Sequence, residues 1–235
     1  EEGYVIASGV EDFKAKKSDA DKMLLLQKEG VESHELPYAI DRKEGDMTLA
    51  DLVSSAIEFL EGEEGFFMMA EGGKIDYASH ANDGATVLHE VIDFDDAIKV
   101  AYRFYEQHPD ETLIVITADH ETGGMALGNS DYVLNLKVLA NQQCSLDKLS
   151  DQLSDLHKSE GKNLQWEQVK HLISKNTGLY NQVEMTAEED AQLQEAFARM
   201  MSHQDVVKTL YKDLNALASK ALNILNKKSR LGWTS

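Results

Sequence analysis

Residues 112–124, Thr-Leu-Ile-Val-Ile-Thr-Ala-Asp-His-Glu-Thr-Gly-Gly, constrain the fold more than any other stretch. An apolar, β-branched run of this kind reads as a strand buried on both faces of a parallel sheet. The run stops at Asp119 and His120, and glycines follow. Open α/β sheets bind their ligands just past the carboxyl ends of the strands. An aspartate beside a histidine there offers zinc an oxygen and an imidazole nitrogen. A second run has the same form: Gly65-Phe-Phe-Met-Met-Ala leads to Glu71, then through Gly72, Gly73 and Lys74 to Asp76 and His80.

The surrounding pattern alternates helix and strand. Residues 4–8 read as a strand, the stretch around Phe13 as a helix and Met23-Leu-Leu-Leu26 as another short strand. Residues 30–37 are a connection and 36–40 are expected to be extended. Thr48, with Asp51 three residues on, is an N-cap pattern for a helix to about Glu61. A strand over 66–70 and a loop over 71–80 follow. One long helix is expected from Asn82 to about Gln107, with Val87, Val91, Phe94, Ile98, Ala101 and Tyr105 as its inner face. His108-Pro-Asp110 ends it, and the strand 112–117 comes next. Such alternation predicts an α/β fold with a mostly parallel sheet flanked by helices.

After about Tyr132 the composition turns helical. Leu146, Leu149, Leu153 and Leu156 fit one helix, and Trp166 to about Ser174 a second. Thr186 and Glu189 cap a third, carrying Leu193, Phe197 and Met200. Val207, Leu210, Leu214, Leu217, Ala221 and Ile224 fit a fourth. The expected organisation is an α/β core over 1–131, an all-helical insertion over 132–228 and a return segment to the core over 229–235. The apolar stripe of the insertion reads as core packing, with dimerisation or an active-site cover as the other readings.

Among 235 residues the net charge is −19, which argues against a general affinity for nucleic acid or anionic lipid. Bound metal ions would supply the positive charge that an anionic substrate needs. The one cysteine, Cys144, rules out an internal disulfide and leaves the redox compartment open. No apolar stretch approaches the roughly 20 residues of a membrane span. The chain opens without Met in a strand-like segment and closes on Arg230-Leu-Gly-Trp-Thr-Ser235 without a cap or polar tail, so both ends read as internal to a longer protein.

Glu71, at a strand exit before two glycines, offers the hard oxygen that Mg²⁺ prefers. Asp76 and His80 are four apart and share a face if that stretch is helical. Taken alone, Glu71 reads first as a solvated loop residue, and Asp76 with His80 as a surface ion pair or a helix cap. Five ligand-type side chains at two strand exits are better explained together, as a metal centre. Lys74 reads as a solvated lysine or a contact for an anion. Gly123 and Gly124 read as a plain turn or an amide site for an anion.

Met69-Ala-Glu-Gly-Gly-Lys-Ile-Asp-Tyr-Ala-Ser-His80 and Thr117-Ala-Asp-His-Glu-Thr-Gly-Gly124 resemble the two internal metal-binding motifs of alkaline phosphatases. The resemblance runs from about residue 1 to 131, and the helical region resembles the variable insertion of that family. It implies that Glu71 is a magnesium ligand, that Asp76 and His80 hold a first zinc, and that Asp119 and His120 hold a second. It implies hydrolysis of phosphate monoesters through a phosphoserine intermediate by two-metal, in-line displacement. It also implies a periplasmic, envelope-associated or secreted protein. The family's Asp-Ser-Ala/Gly nucleophile motif has no counterpart; Ser18-Asp-Ala20 has the wrong order. A metal-bridging aspartate, a phosphate-contacting arginine and another magnesium ligand are likewise unmatched. The family's last zinc histidine would follow a segment like Gly232-Trp-Thr-Ser235.

The expectation is therefore half a site: two incomplete Zn²⁺ positions and a Mg²⁺ position, no catalytic nucleophile in this chain, and no turnover by it alone. An exposed sheet edge would favour a homodimer or other self-association. Two other readings stand beside this one. One is another metalloenzyme of the superfamily: a phosphodiesterase, phosphomutase or sulfatase. The other is a noncatalytic metal-binding or interaction domain.

Overall fold

The structure, a computed structural model, describes residues 3–27, 35–62, 64–128, 132–202, 206–209 and 211–234. It divides into two compact units, one of residues 1–73 with 89–119 and one of 74–88 with 120–235.

In the first unit, strand β1 (Val5–Ser8) is followed by helix α1 (Gly9–Lys16) and strand β2 (Met23–Leu26). The strands pair in parallel, Val5 opposite Met23 and Ser8 opposite Leu26, with α1 as the crossover. Buried Ala7 and Phe13 join strand to helix. Helix α2 (Leu49–Leu60) starts where the capping pattern places it. The Thr48 hydroxyl accepts from the Asp51 amide at 3.0 Å, and the Asp51 carboxylate accepts from the Thr48 amide at 2.9 Å. Most of the expected connection before Pro37 lies outside the described residues. The expected extended stretch 36–40 ends in a 3-10 turn, Ala39–Asp41.

Helix α3 (Gly73–His80) and helix α4 (Gly84–Gln107) lead from one unit to the other. Of the expected inner face of α4, Val87 is buried and Phe94, Ile98, Ala101 and Tyr105 are partly covered, but the face also takes in polar residues and leaves out Val91. Val91 is exposed, while Thr86, Glu90, Asp93 and Ala97 are buried. The polar members have partners: Glu90 accepts from the Ala39 amide at 2.6 Å, and Asp93 pairs with Arg42 at 2.8 Å. Burial of those carboxylates is tolerated because each is satisfied.

Segments 66–70 and 112–117 are not strands of any ladder among the described residues. Their exposure alternates as in strands over 66–69 and 112–115. Phe66, Met68, Thr112 and Ile114 are partly covered, whereas Phe67, Met69, Leu113 and Val115 are exposed. The Phe66 ring packs on Phe104 of α4, centroids 5.6 Å apart. An apolar run needs sheet neighbours and covers on both faces; the described residues supply one side.

In the second unit, strand β3 (Ala126–Leu127) is followed by helices α5 (Leu146–Glu160), α6 (Trp166–Thr177) and α7 (Ala187–Met201). Then come strands β4 (Val206–Lys208) and β5 (Asp213–Asn215), helix α8 (Ala216–Ser229) and strand β6 (Leu231–Gly232). β6 pairs with β3, antiparallel. α8 is the core helix. Its Leu217, Ala218, Ala221, Leu222 and Leu225 are buried against α5, α6 and α7, among Leu149, Leu153, Ile173, Leu193 and Met200.

The expected fourth helix is corrected here. Its first half is the antiparallel hairpin β4–β5, with Val207 opposite Leu214. The helix begins only at Ala216, because Asn215 caps it through the amides of Leu217 and Ala218. Leu210 lies outside the described residues. Among its described residues the insertion is thus mainly helical, with the β4–β5 hairpin and a bridge between Leu179 and Val183. No helix among the described residues is long and apolar enough to cross a membrane.

Candidate metal centre

Helix α3 starts at Gly73, two residues past Glu71. The Glu71 carboxylate folds back over Gly73, where a Cβ would lie 3.2 Å from Glu71 Oε1. α3 then places Asp76 and His80 one turn apart on one face. His80 Nε2 is 3.5 Å from Asp76 Oδ1. Asp83, just past the helix, anchors it. It is fully buried and accepts from the Thr86 amide and hydroxyl, the Gln142 amide group and the Leu146 amide. Burial pushes its pKa above the ordinary value, although those four donors pull the other way.

The loop after His120 approaches α3 through Thr122. The Thr122 hydroxyl donates to Asp76 Oδ1 at 2.6 Å and lies 3.2 Å from His120 Nδ1. The other Asp76 oxygen accepts from the Tyr211 hydroxyl at 2.8 Å. Partial burial raises the Asp76 pKa, but the Thr122 and Tyr211 hydroxyls, with His80 and His120 nearby, outweigh it. The carboxyl is held below its ordinary value and is ionised at neutral pH. Tyr211 also stacks on Tyr77, centroids 3.9 Å apart and planes at 20°, and meets His80 edge-on. Lys74 Nζ sits over the Tyr77 ring at 4.9 Å.

The glycine pair makes a turn. The Gly124 amide donates to Glu121 Oε1 at 2.7 Å. Both glycines have positive φ, and the segment 231–234 lies against them. The Thr234 amide donates to Gly123 O at 3.0 Å. A Cβ on Gly123 would meet the Trp233 ring, and one on Gly124 would fall on the Thr234 side chain. The Trp233 indole N–H is buried, with no hydrogen-bond partner among the described residues.

Of the five expected ligands, Asp76, His80 and His120 therefore share the second unit, grouped around Asp76. Glu71 and Asp119 fall in the first unit, and both are exposed. Among the described residues no three His, Cys, Asp or Glu side chains gather closely enough to hold a metal ion. The donor set of a carboxylate and imidazoles fits zinc by its chemistry. Thr122, Tyr77 and Tyr211 were not among the sequence candidates. Thr122 stands two residues past a candidate ligand, which is a weak signal; Tyr211 has none.

The sequence matches the profile of the alkaline phosphatase family over residues 4–235. It is 31% identical over 219 residues to the repressible alkaline phosphatase of Saccharomyces cerevisiae, covering 86% of this chain and 36% of that protein. It is 32% identical over 203 residues to alkaline phosphatase 4 of Bacillus subtilis, covering 85% of this chain and 38% of that one. The chain thus spans well under half the length of these relatives. The structure resembles that of a cold-active alkaline phosphatase from the psychrophile Shewanella sp., with TM-score 0.71 and 27% identity, over 100% of this chain and 50% of that one.

Proposed function

Since the chain belongs to the alkaline phosphatase family, we propose that it carries one side of the metal centre of a metal-dependent phosphate monoesterase. The observation that supports this most is the Thr122 bridge, which ties the Asp76 loop to the His120 loop. Asp76 and His80 would hold one zinc, Asp119 and His120 a second, and Glu71 a magnesium. Zinc bound there would act as a Lewis acid, lowering the pKa of bound water and neutralising charge on the phosphoryl group.

The chain's own residues prepare the site. Asp76 stays ionised, ready to ligate without first losing a proton. Thr122 orients that carboxylate and the His120 ring together. The Trp233 and Thr234 side chains lie against Gly123 and Gly124 in the loop that follows His120. The serine nucleophile of a phosphoserine mechanism, and the remaining ligands, would come from chain beyond these 235 residues. The relatives' greater length supports this, and it implies that the 235 residues alone do not turn over substrate.

The test is p-nitrophenyl phosphate hydrolysis with zinc and magnesium, for the full-length gene product and for residues 1–235. Activity is expected only in the longer protein. Asp76→Ala and Asp119→Ala should each lower it more than about a hundredfold, beyond the effect of losing an outer-shell partner. Turnover by residues 1–235 that Asp119→Ala abolishes would overturn the claim of inactivity. A full-length protein that prefers phosphodiesters would overturn the substrate class.

A further inference from the structure

We propose that Tyr211, on the β4–β5 hairpin of the helical insertion, is a positioning residue for Asp76 and couples the insertion to metal affinity at the α3 loop. The inference rests on the reading of Asp76 as a zinc ligand and goes beyond it, because Tyr211 lies 135 residues away in a region outside the motif resemblance.

The geometry carries it. The hairpin turn is closed by Thr209, whose hydroxyl donates to Lys212 O at 2.7 Å and accepts from the Lys212 amide at 3.2 Å. The Lys212 ammonium is tied to Asp151 of α5 at 2.8 Å, and the Asn215 amide donates to Ser150 Oγ of α5 at 2.8 Å. The hairpin is therefore fastened to α5 on both sides of its second strand. From that fixed tip Tyr211 makes three contacts with α3: its hydroxyl on Asp76 Oδ2, its ring on Tyr77 and its edge contact with His80. All three touch the two candidate ligands or Tyr77, the residue next to Asp76.

A carboxylate offers about four lone-pair directions. The Tyr211 and Thr122 hydroxyls can thus each hold one oxygen while lone pairs remain for a cation. Fixing the carboxylate before the ion arrives removes the rotamer cost of ordering it. Outer partners of this kind typically contribute 10- to 100-fold in metal affinity.

The experiment uses the full-length protein, stripped of metal, and its Tyr211→Phe, Tyr211→Ala and Asp76→Ala forms. Zinc affinity is read by competition with a chromophoric chelator, zinc release is timed after adding excess chelator, and unfolding of the metal-free forms is followed in parallel. Tyr211→Phe keeps the ring contacts and loses only the hydroxyl. It is expected to weaken zinc about tenfold and to speed release, without changing the unfolding midpoint of the metal-free protein. Tyr211→Ala should weaken zinc further. A purely structural tyrosine would leave zinc affinity intact in Tyr211→Phe, and that result overturns the proposal. Zinc binding unchanged in Asp76→Ala would instead overturn the ligand reading beneath it.

Discussion

A single methyl group at position 124 tests how closely the end of the described chain is seated on the His120 loop. Gly124 has a φ of +64°, and an added Cβ would fall on the Thr234 side chain. Gly124→Ala is expected to destabilise residues 1–235 by about 2–4 kcal/mol, from left-handed backbone strain plus overpacking. Gly62→Ala, with open space around it, should change little. Urea-denaturation midpoints compare the two; equal midpoints would mean that the 231–234 segment is not seated on the turn. At this scale much of the candidate site was legible in the sequence. Asp76, His80 and His120 stand out because carboxylates and imidazoles after an apolar run are rarely there for packing. Thr122 and Tyr77 sit inside the same motifs, but a hydroxyl or a ring has no ligand signature of its own. Tyr211 could not be read, because no local pattern encodes a contact across 135 positions.

Among the elements, the capped helices were the most legible. The Thr186 hydroxyl accepts from the Glu189 amide at 3.2 Å, and Glu189 Oε2 accepts from the Thr186 amide at 2.8 Å. Lys228 of α8 pairs with the same carboxylate at 2.8 Å. Burial raises the Glu189 pKa, but these partners hold it below the ordinary 4.5. The folded state therefore releases this proton more readily than the unfolded chain. Its stabilisation is complete above the unfolded value and is lost as pH falls through 4.5 toward the folded one. Glu189→Gln keeps a cap-competent side chain and removes the charge. It is expected to cost about 1 kcal/mol at neutral pH and almost nothing once the carboxyl is protonated. Urea melts on both sides of the transition check this, and a pH-independent difference would refute it. The β4–β5 hairpin was not legible, because Val207, Leu214 and Leu217 satisfy helical spacing whether or not a helix forms. Asn215 decided the matter by supplying a cap in the middle of the run.

For the whole molecule, the alternation of helix and apolar run identified the α/β class, while the ladder partners of 66–70 and 112–117 were beyond its reach. Phe67, Met69, Leu113, Val115 and Ile116 leave apolar surface uncovered in the first unit. Residues 1–235 on their own should therefore associate as concentration rises. Light scattering at low and high concentration tests this, with Phe67→Ser and Val115→Thr together expected to reduce it; a concentration-independent monomer would refute it. The second unit has a different logic, set by Asp83. One carboxylate accepts from the first turns of both α4 and α5, through the amides of Thr86 and Leu146. Displacing Asp83 from the start of α4 removes an acceptor from both helix ends at once, so opening there reaches α5 as well. Local motion just past α3 is thereby passed to the first turn of α5.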